Sequence, residues 1–331
     1  MYMKLKAIFK IVRQAILGGN FFTYKIISKT PRKSSSKEPY QSNSNNNFAI
    51  VMQGPYLQGD SFTLETLRLY RRNFPGANII LSTTSTLIAK DSMALGDLDI
   101  EIINNKAPDN PGIANVNFQI VTSSAGVRRA RDLEAKYVLK TRTDQRISHP
   151  NLDDYLFSLL KTFPIKVNGL SQNERLIACS LNTFKLRLYG VSDMFMFGDI
   201  DDMINYWDRP LDLRSLKDTG LNLDTVTWRE HAVAEMAEVG FCTHFLRKVG
   251  HNPEFKVAKS LGALAEHFII IDQDAIRLFW NKYTLDDNRY QGFGDFPELT
   301  FNGWLMLNAS FDKVTFNESA VDRRINNEES F

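Results

Sequence analysis

Short apolar runs that stop abruptly at polar residues constrain this chain more than any other feature. Phe48-Ala-Ile-Val-Met52 ends at Gln53-Gly54-Pro55, and Asn78-Ile-Ile-Leu-Ser82 ends at a hydroxyl cluster that includes Thr83. Asp99-Ile-Glu-Ile-Ile103 ends at Asn104-Asn105, and Tyr137-Val-Leu-Lys-Thr-Arg-Thr-Asp144 ends at a carboxylate. Uninterrupted apolar runs of this length read as strands buried on both faces, and such strands belong to parallel sheets. Between them lie helical patterns: Thr63–Phe74, with Leu64, Leu67, Tyr70 and Phe74 on one face and a Pro75-Gly76 stop, and a second helix over about 116–133. Strands alternating with helices predict right-handed βαβ units and an α/β fold. Ligands of open sheets of this kind bind beyond the carboxyl ends of the strands. Gln53, Ser82, Thr83 and Asp144 all fall at such ends and mark a candidate site.

The chemistry of that site is narrowed by exclusion. The turn after the first strand is Gln-Gly-Pro. It has neither the glycine spacing of a dinucleotide fingerprint nor that of a P-loop, so no run of backbone amides is presented to a phosphate at a helix start. Phosphate must then be met by a metal ion or by basic side chains. Along Lys140, Arg142, Asp144 and Arg146 the spacing is two, which places all four on one side of an extended segment. A carboxylate there can hold a divalent cation or orient a sugar hydroxyl, and a guanidinium can grip phosphate oxygens in pairs. A salt-bridge ladder is the structural alternative. Gly54 allows close backbone approach at the turn. Asn117 and Gln119, near the start of the helix after the third strand, can read a base or ribose through amide hydrogen bonds, with helix capping as the alternative. Asp193 opens the apolar strand Met194–Gly198, expected beside the Asp144 segment, and is the first candidate for a general base or acceptor contact, with turn capping as the alternative. Glu230 is the second candidate. Glu235 and Glu238 read as part of a solvated helix face opposite Trp228, Ala232, Met236 and Val239. The histidines show no zinc spacing and read as structural. Leu152, Tyr155, Leu156, Leu159, Leu160 and Phe163 form a helix face devoted to core packing.

Several of these segments, in order, resemble the WavE-type family linked to lipopolysaccharide core synthesis. They are Ile50–Pro55, Tyr70 with Phe74-Pro75, Ile79–Thr83, Asn115–Ser123, Tyr137–Asp144, Ser192–Gly198, and Glu266–Asp272 with Lys282-Tyr283. The resemblance spans about 48–285. It implies a GT-A-like (Rossmann-like) glycosyltransferase with a mostly parallel sheet flanked by helices. Such an enzyme moves a sugar from a nucleotide-sugar donor to a glycan or lipid-linked glycan acceptor. It further implies that the turn Gln53-Gly54-Pro55 holds the nucleotide, with an acidic residue near Glu230. Where GT-A enzymes carry Asp-x-Asp to hold Mn²⁺ or Mg²⁺, this chain has Arg142-Thr143-Asp144, leaving Asp144 as the single metal-binding carboxylate. A sugar nucleotidyltransferase, or a non-catalytic peripheral membrane or glycan-binding protein of the same fold, are the competing readings.

Composition sets the remaining bounds. The 331 residues carry a net charge of +2, yet residues 1–40 hold nine basic side chains against the single acid Glu38. The body is therefore mildly acidic, which excludes nucleic acid as its partner. Leu5, Ile8, Phe9, Val12, Ile16 and Leu17 recur at helical spacing among Lys4, Lys6, Lys10 and Arg13, so residues 1–30 read as a basic amphipathic leader. Such a leader suits an anionic membrane surface at the inner face of the cytoplasmic membrane, with a solvated basic helix packed on the body of the protein as the alternative. Residues 31–47 contain no aliphatic side chain and read as a flexible linker. A single domain is expected over 48–311, followed by a polar tail over 312–331. Two cysteines, Cys179 and Cys242, are too few for a disulfide framework and accord with a cytoplasmic location.

Overall fold

The computed structural model describes residues 47–58, 61–149, 151–166, 169–221, 228–281 and 297–310. The leader, nearly all of the linker, Lys282-Tyr283 and the polar tail lie outside the described residues. Among those described, no helix is long and apolar enough to cross a membrane.

The chain folds around a seven-stranded sheet. Its strands are β1 (Phe48–Gln53), β2 (Asn78–Thr83), β3 (Ile100–Asn104), β4 (Tyr137–Arg142), β6 (Leu176–Cys179), β7 (Met196–Asp199) and β8 (Phe268–Ile271), in the spatial order β3-β2-β1-β4-β7-β6-β8. The first four strands are parallel, as their unbroken apolar runs predict, and β6 and β8 pair parallel to each other. Strand β7 runs against both of its neighbours, β4 and β6. A separate antiparallel pair, β5 (Gln145–Ile147) with β9 (Leu278–Trp280), continues directly from the end of β4.

Two topological facts place the site. From β1 the chain steps to β2 on one side and later to β4 on the other, so the strand order reverses between β1 and β4. A crevice opens at the carboxyl ends of two strands diverging in this way. Because β7 is antiparallel, its beginning lies at the same edge of the sheet. Lys140 pairs with Met196, which sets Asp193 beside the end of β4.

Helices α1 (Phe62–Asn73), α2 (Ala89–Gly96), α3 (Val116–Asp132), α4 (Leu152–Thr162) and α5 (Ile200–Trp207) occupy the first two thirds of the chain. Helices α6 (Trp228–Val233), α7 (Ala237–Lys248), α8 (Val257–His267) and α9 (Phe301–Ser310) complete it. Helix α3 lies directly on β1: a Cβ at Gly126 would stand 2.3 Å from Val51 Cγ1, closer than any side chain tolerates. The core beneath is continuous. Ile50, Val51, Met52, Val138, Phe197, Ile269 and Ile270 are fully buried, and Tyr206, Trp207, Phe241, Phe245 and Phe268 pack as an aromatic cluster. Each such side chain contributes roughly 1.5–3 kcal/mol on burial. The expected packing helix also forms as α4, burying Leu152, Leu156, Leu159 and Leu160.

The structure corrects the helix read over Trp228–Val239. The chain breaks between α6 and α7, with Glu235 and Ala237 both at positive φ (51° and 45°). The break resets the helical phase, so Glu235 and Glu238 no longer share a face. Glu235 pairs with Arg247 at the surface, while Glu238 turns inward.

Candidate functional site

A cavity of about 1060 Å³ lies over the carboxyl ends of β1 and β4. Gln53, Gly54 and Pro55 from the first turn, Gln119 from α3, Arg142 and Asp144 from the end of β4, and Asp193 from the approach to β7 all line it. Gln53 and Arg142 are direct register partners across the two strands. The site therefore follows from strand pairing, before any side-chain interaction is considered.

At its centre stands Arg142, held between two carboxylates. Its Nε donates to Asp144 Oδ1 at 3.0 Å and its Nη2 to Asp144 Oδ2 at 3.1 Å. Its Nη1 donates to Asp193 Oδ2 at 3.1 Å. Trp280, carried in by β9, donates its indole N–H to Asp144 Oδ2 at 3.0 Å. Gln119 donates to Asp193 at 2.5 Å, and its neighbour one turn on, Thr122, donates to Gln53 Oε1 at 2.9 Å. Burial pushes the Asp193 carboxyl up, but Arg142, Lys140 and the Gln119 bond together outweigh burial and hold its pKa below the ordinary carboxylate value. Burial works against the charge of Arg142 as well, and the two carboxylates outweigh it, raising that pKa.

Lys140 sits beneath this triad rather than in the cavity. It is completely buried, its Nζ lies 4.1 Å from the centre of a Trp207 ring, and it donates to the backbone oxygen of Asp193. Burial brings its pKa down to about 7 against the opposing pull of Asp193. The backbone turn is equally specific. Gly54 has φ +124°, and a Cβ there would meet Thr143 Oγ1 at 2.7 Å. Glycine is required at this point because the turn is packed against the residue between Arg142 and Asp144.

Several expected residues lie elsewhere. Ser82 and Thr83 are fully buried and satisfied internally, Ser82 by Asn105 and Thr83 by the Ser85 amide; the cavity is lined instead by Thr84. Asn117 is also buried: it donates to the Asn110 and Asp212 carbonyls and accepts from the Asp212 amide, so its amide braces a loop. Arg146 departs from the two-residue pattern because the strand ends at Arg142. It donates to Thr66 Oγ1 at 2.9 Å and lies over the Phe62 ring on α1. Glu230 is exposed and does not line the cavity, whereas Glu238 does. Glu238 accepts from Asn182 Nδ2 at 2.7 Å and stands 3.8 Å from Arg187. Trp280, Asn182 and Glu238 were not singled out from the sequence. Each reaches the site by a long-range return of the chain that no local pattern encodes.

The residues as arranged do not fit a divalent cation at Asp144. Both of its oxygens accept from Arg142, and one accepts from Trp280 as well. The nearest second carboxylate, Asp193, is engaged by the same guanidinium. A cation is already present where two carboxylates converge, and it belongs to the protein.

No curated protein matches the chain. Among solved structures, a cytidylyltransferase from Leptospira borgpetersenii serovar Hardjo-bovis matches with 10% identity, covering 87% of this chain and 100% of that one, at a TM-score of 0.31. A mannose-1-phosphate geranyltransferase from Thermus thermophilus matches with 11% identity and a TM-score of 0.24, covering 42% of this chain and 44% of that one. The present chain thus spans less than half of that protein. Likeness at this level carries no argument about activity. The family model described as WavE lipopolysaccharide synthesis matches residues 48–273, from the first residue of β1 to just past the end of β8. That match takes in every strand of the main sheet and every cavity residue up to Glu238, and the chain belongs to the WavE lipopolysaccharide synthesis family.

Proposed function

We propose that this protein is a glycosyltransferase that moves a sugar from a nucleotide-sugar donor onto a lipopolysaccharide core or another surface-polysaccharide acceptor. One observation carries the reading: Gln53, Arg142, Asp144 and Asp193 share a single cavity at the switch point of the sheet. Membership of a lipopolysaccharide synthesis family supports it.

Transfer from a nucleoside diphosphate builds negative charge on the departing phosphate, and a preorganised cation at that point lowers the barrier. Arg142 is that cation in this reading. Three of its five N–H groups are spent on Asp144 and Asp193, which leaves two to meet phosphate oxygens. Gln53 and the Gly54-Pro55 turn contact the nucleoside. Asp193 is a poor base, because its pKa is held low; we assign it to positioning Arg142. Glu238 takes the proton of the acceptor hydroxyl, a step that typically contributes about 10²–10⁴-fold in rate. A second cavity, about 640 Å³, shares Ala114 with the first and is lined by Pro111, Ile113, Leu216 and Met236. Its apolar walls suit the lipid portion of a lipid-linked acceptor. Residues 1–30 then hold the enzyme at the anionic inner face of the cytoplasmic membrane, where such an acceptor is presented.

The test is thermal unfolding of the full chain with a panel of nucleoside diphosphates and triphosphates, in Mn²⁺ and in a chelator. A ligand at ~100 times its dissociation constant adds about 2.7 kcal/mol of stability. The expected result is stabilisation by one diphosphate, unchanged by chelation. Preference for a triphosphate would move the assignment to a sugar nucleotidyltransferase. Stabilisation only with Mn²⁺ would overturn the role of Arg142, and no response to any nucleotide would overturn the proposal.

A further inference from the structure

Away from the cavity, three metal-ligating side chains that are scattered in the sequence meet in space. His251 lies just beyond α7, and Glu266 and His267 form the last two residues of α8. One ligand atom from each lies within 4.8 Å of the others, and none of the three lines either cavity. The two imidazoles touch directly, His267 Nε2 to His251 Nδ1 at 3.0 Å, and Glu266 Oε2 is 4.0 Å from the same His251 nitrogen.

The protons in this cluster can be assigned from the neighbouring hydrogen bonds. Gln172 donates its amide nitrogen to the backbone oxygens of Glu174 (2.7 Å) and His267 (3.0 Å). Its Oε1 is thereby turned toward His267 Nδ1, at 2.6 Å. An amide oxygen only accepts, so Nδ1 of His267 carries the hydrogen and its Nε2 presents a lone pair. His251 Nδ1 is then the donor between the two rings. Burial, with His251 and Arg175 nearby, brings the pKa of His267 down to about 3, and burial with Lys259 lowers that of His251. Both rings are neutral at pH 7 and fit to ligate.

We infer that His251 Nδ1, His267 Nε2 and the Glu266 carboxylate form a zinc site that ties the loop after α7 to the junction of α8 and β8. Zn²⁺ takes imidazole nitrogen at about 2.0–2.1 Å, which sets two such nitrogens about 3.3 Å apart around a tetrahedral ion. From the observed 3.0 Å the two nitrogens open slightly and the rings turn so that both lone pairs face the ion, while Glu266, 4.0 Å from His251 Nδ1 and within 4.8 Å of the other ligand atoms, swings inward by about 1–1.5 Å. Binding replaces the His251 N–H···N hydrogen bond with two Zn–N bonds; the His251 proton moves through solvent from Nδ1 to Nε2, so the ring stays neutral and no net proton is released. His267 already has the orienting partner that zinc-bound histidines characteristically use, here the Gln172 oxygen. The side chains of His251 and Glu266 are 22% and 40% exposed, so the ion has a path in and water can complete its coordination.

The test uses the full chain stripped of metal. Calorimetric titration with Zn²⁺ should show one ion per chain and close to no net proton exchange at a pH where both rings are neutral, read from buffers of different ionisation enthalpy. Co²⁺ in place of Zn²⁺ should give the intense visible bands of a four-coordinate site. His251→Gln and Glu266→Gln, both at partly exposed positions, should each weaken binding at least ~10-fold, and Gln172→Ala should weaken it about 10–100-fold through the ring it orients. No Zn²⁺ binding by the parent chain, or equal binding by His251→Gln, overturns the site and leaves the pair as a hydrogen-bonded stitch.

Discussion

Replacing Arg142 by methionine removes the guanidinium while keeping a side chain of similar length, and the cost follows from what is left behind. Asp193 is 6% exposed, and the Asp144 side chain is 13% exposed, so neither regains full hydration. Breaking a buried ion pair by deleting one partner costs about 3–5 kcal/mol, because the remaining charge is uncompensated. Trp280 still donates to Asp144, Gln119 still donates to Asp193, and the Lys140 ammonium stays beneath. These place the expected loss at the lower end, about 3 kcal/mol, or roughly a hundredfold in the unfolding equilibrium.

The loss has a pH signature. In the parent chain the folded pKa of Asp193 lies below its unfolded value. Its contribution is therefore present above an unfolded pKa of about 4 and lost as pH falls through the folded value. In the variant, burial without the guanidinium shifts that pKa upward, so folding favours the protonated acid and stability declines as pH rises above ~4. Lys140, whose pKa burial and Arg142 both lower in the parent chain, carries its full charge at pH 5 and there compensates the bared carboxylates most completely, which widens the contrast. Urea unfolding of both chains at pH 8 and pH 5 should give a difference smaller by at least ~1 kcal/mol at the lower pH. A difference below about 0.5 kcal/mol at pH 8, or one independent of pH, would refute the buried-triad reasoning.

Three further outcomes follow from named contacts. Gly54→Ala forces a Cβ toward Thr143 Oγ1 at a φ of +124° and should cost about 1–3 kcal/mol in denaturant unfolding, with nucleotide binding weakened; parent-like stability would show that the turn relaxes freely. Glu238→Gln should lower kcat about 10²-fold or more with donor affinity kept, while Glu230→Gln should change kcat less than twofold. Reversed effects would move the base outside the cavity. Deleting residues 1–30 should release the protein from anionic vesicles, and equal vesicle binding by the shortened chain would remove the leader's assigned role.

The legible part of this molecule is the part whose signals are local. Parallel β1 to β4 follow from apolar runs and their helical connections, and with them came Gln53, Gly54, Arg142 and Asp144, which sit on strand ends. Asp193 was legible for the same reason, as the residue opening an apolar run. The antiparallel sense of β7 had no local signal, yet it is what sets Asp193 against Arg142. Polar residues at strand ends proved ambiguous. Ser82, Thr83 and Asn117 share the site's position and chemistry but spend their hydrogen bonds on loops, and only the folded backbone reveals that. Trp280 and Glu238 were missed because Trp280 reaches Asp144 through the β5–β9 pairing and Glu238 reaches the cavity through the break before α7. Glu235 and Ala237 at positive φ gave no warning in sequence, since neither is a residue that favours that region.

In the proposed function a sugar nucleotide sits over the ends of β1 and β4 with its diphosphate against Arg142. A crystal structure of the full chain with the tightest-binding nucleoside diphosphate tests it most directly. Phosphate oxygens within hydrogen-bond distance of Arg142 and the nucleoside against the Gln53–Pro55 turn are the predicted result. A diphosphate bound elsewhere on the chain, with the Asp144–Arg142–Asp193 triad untouched, would contradict it.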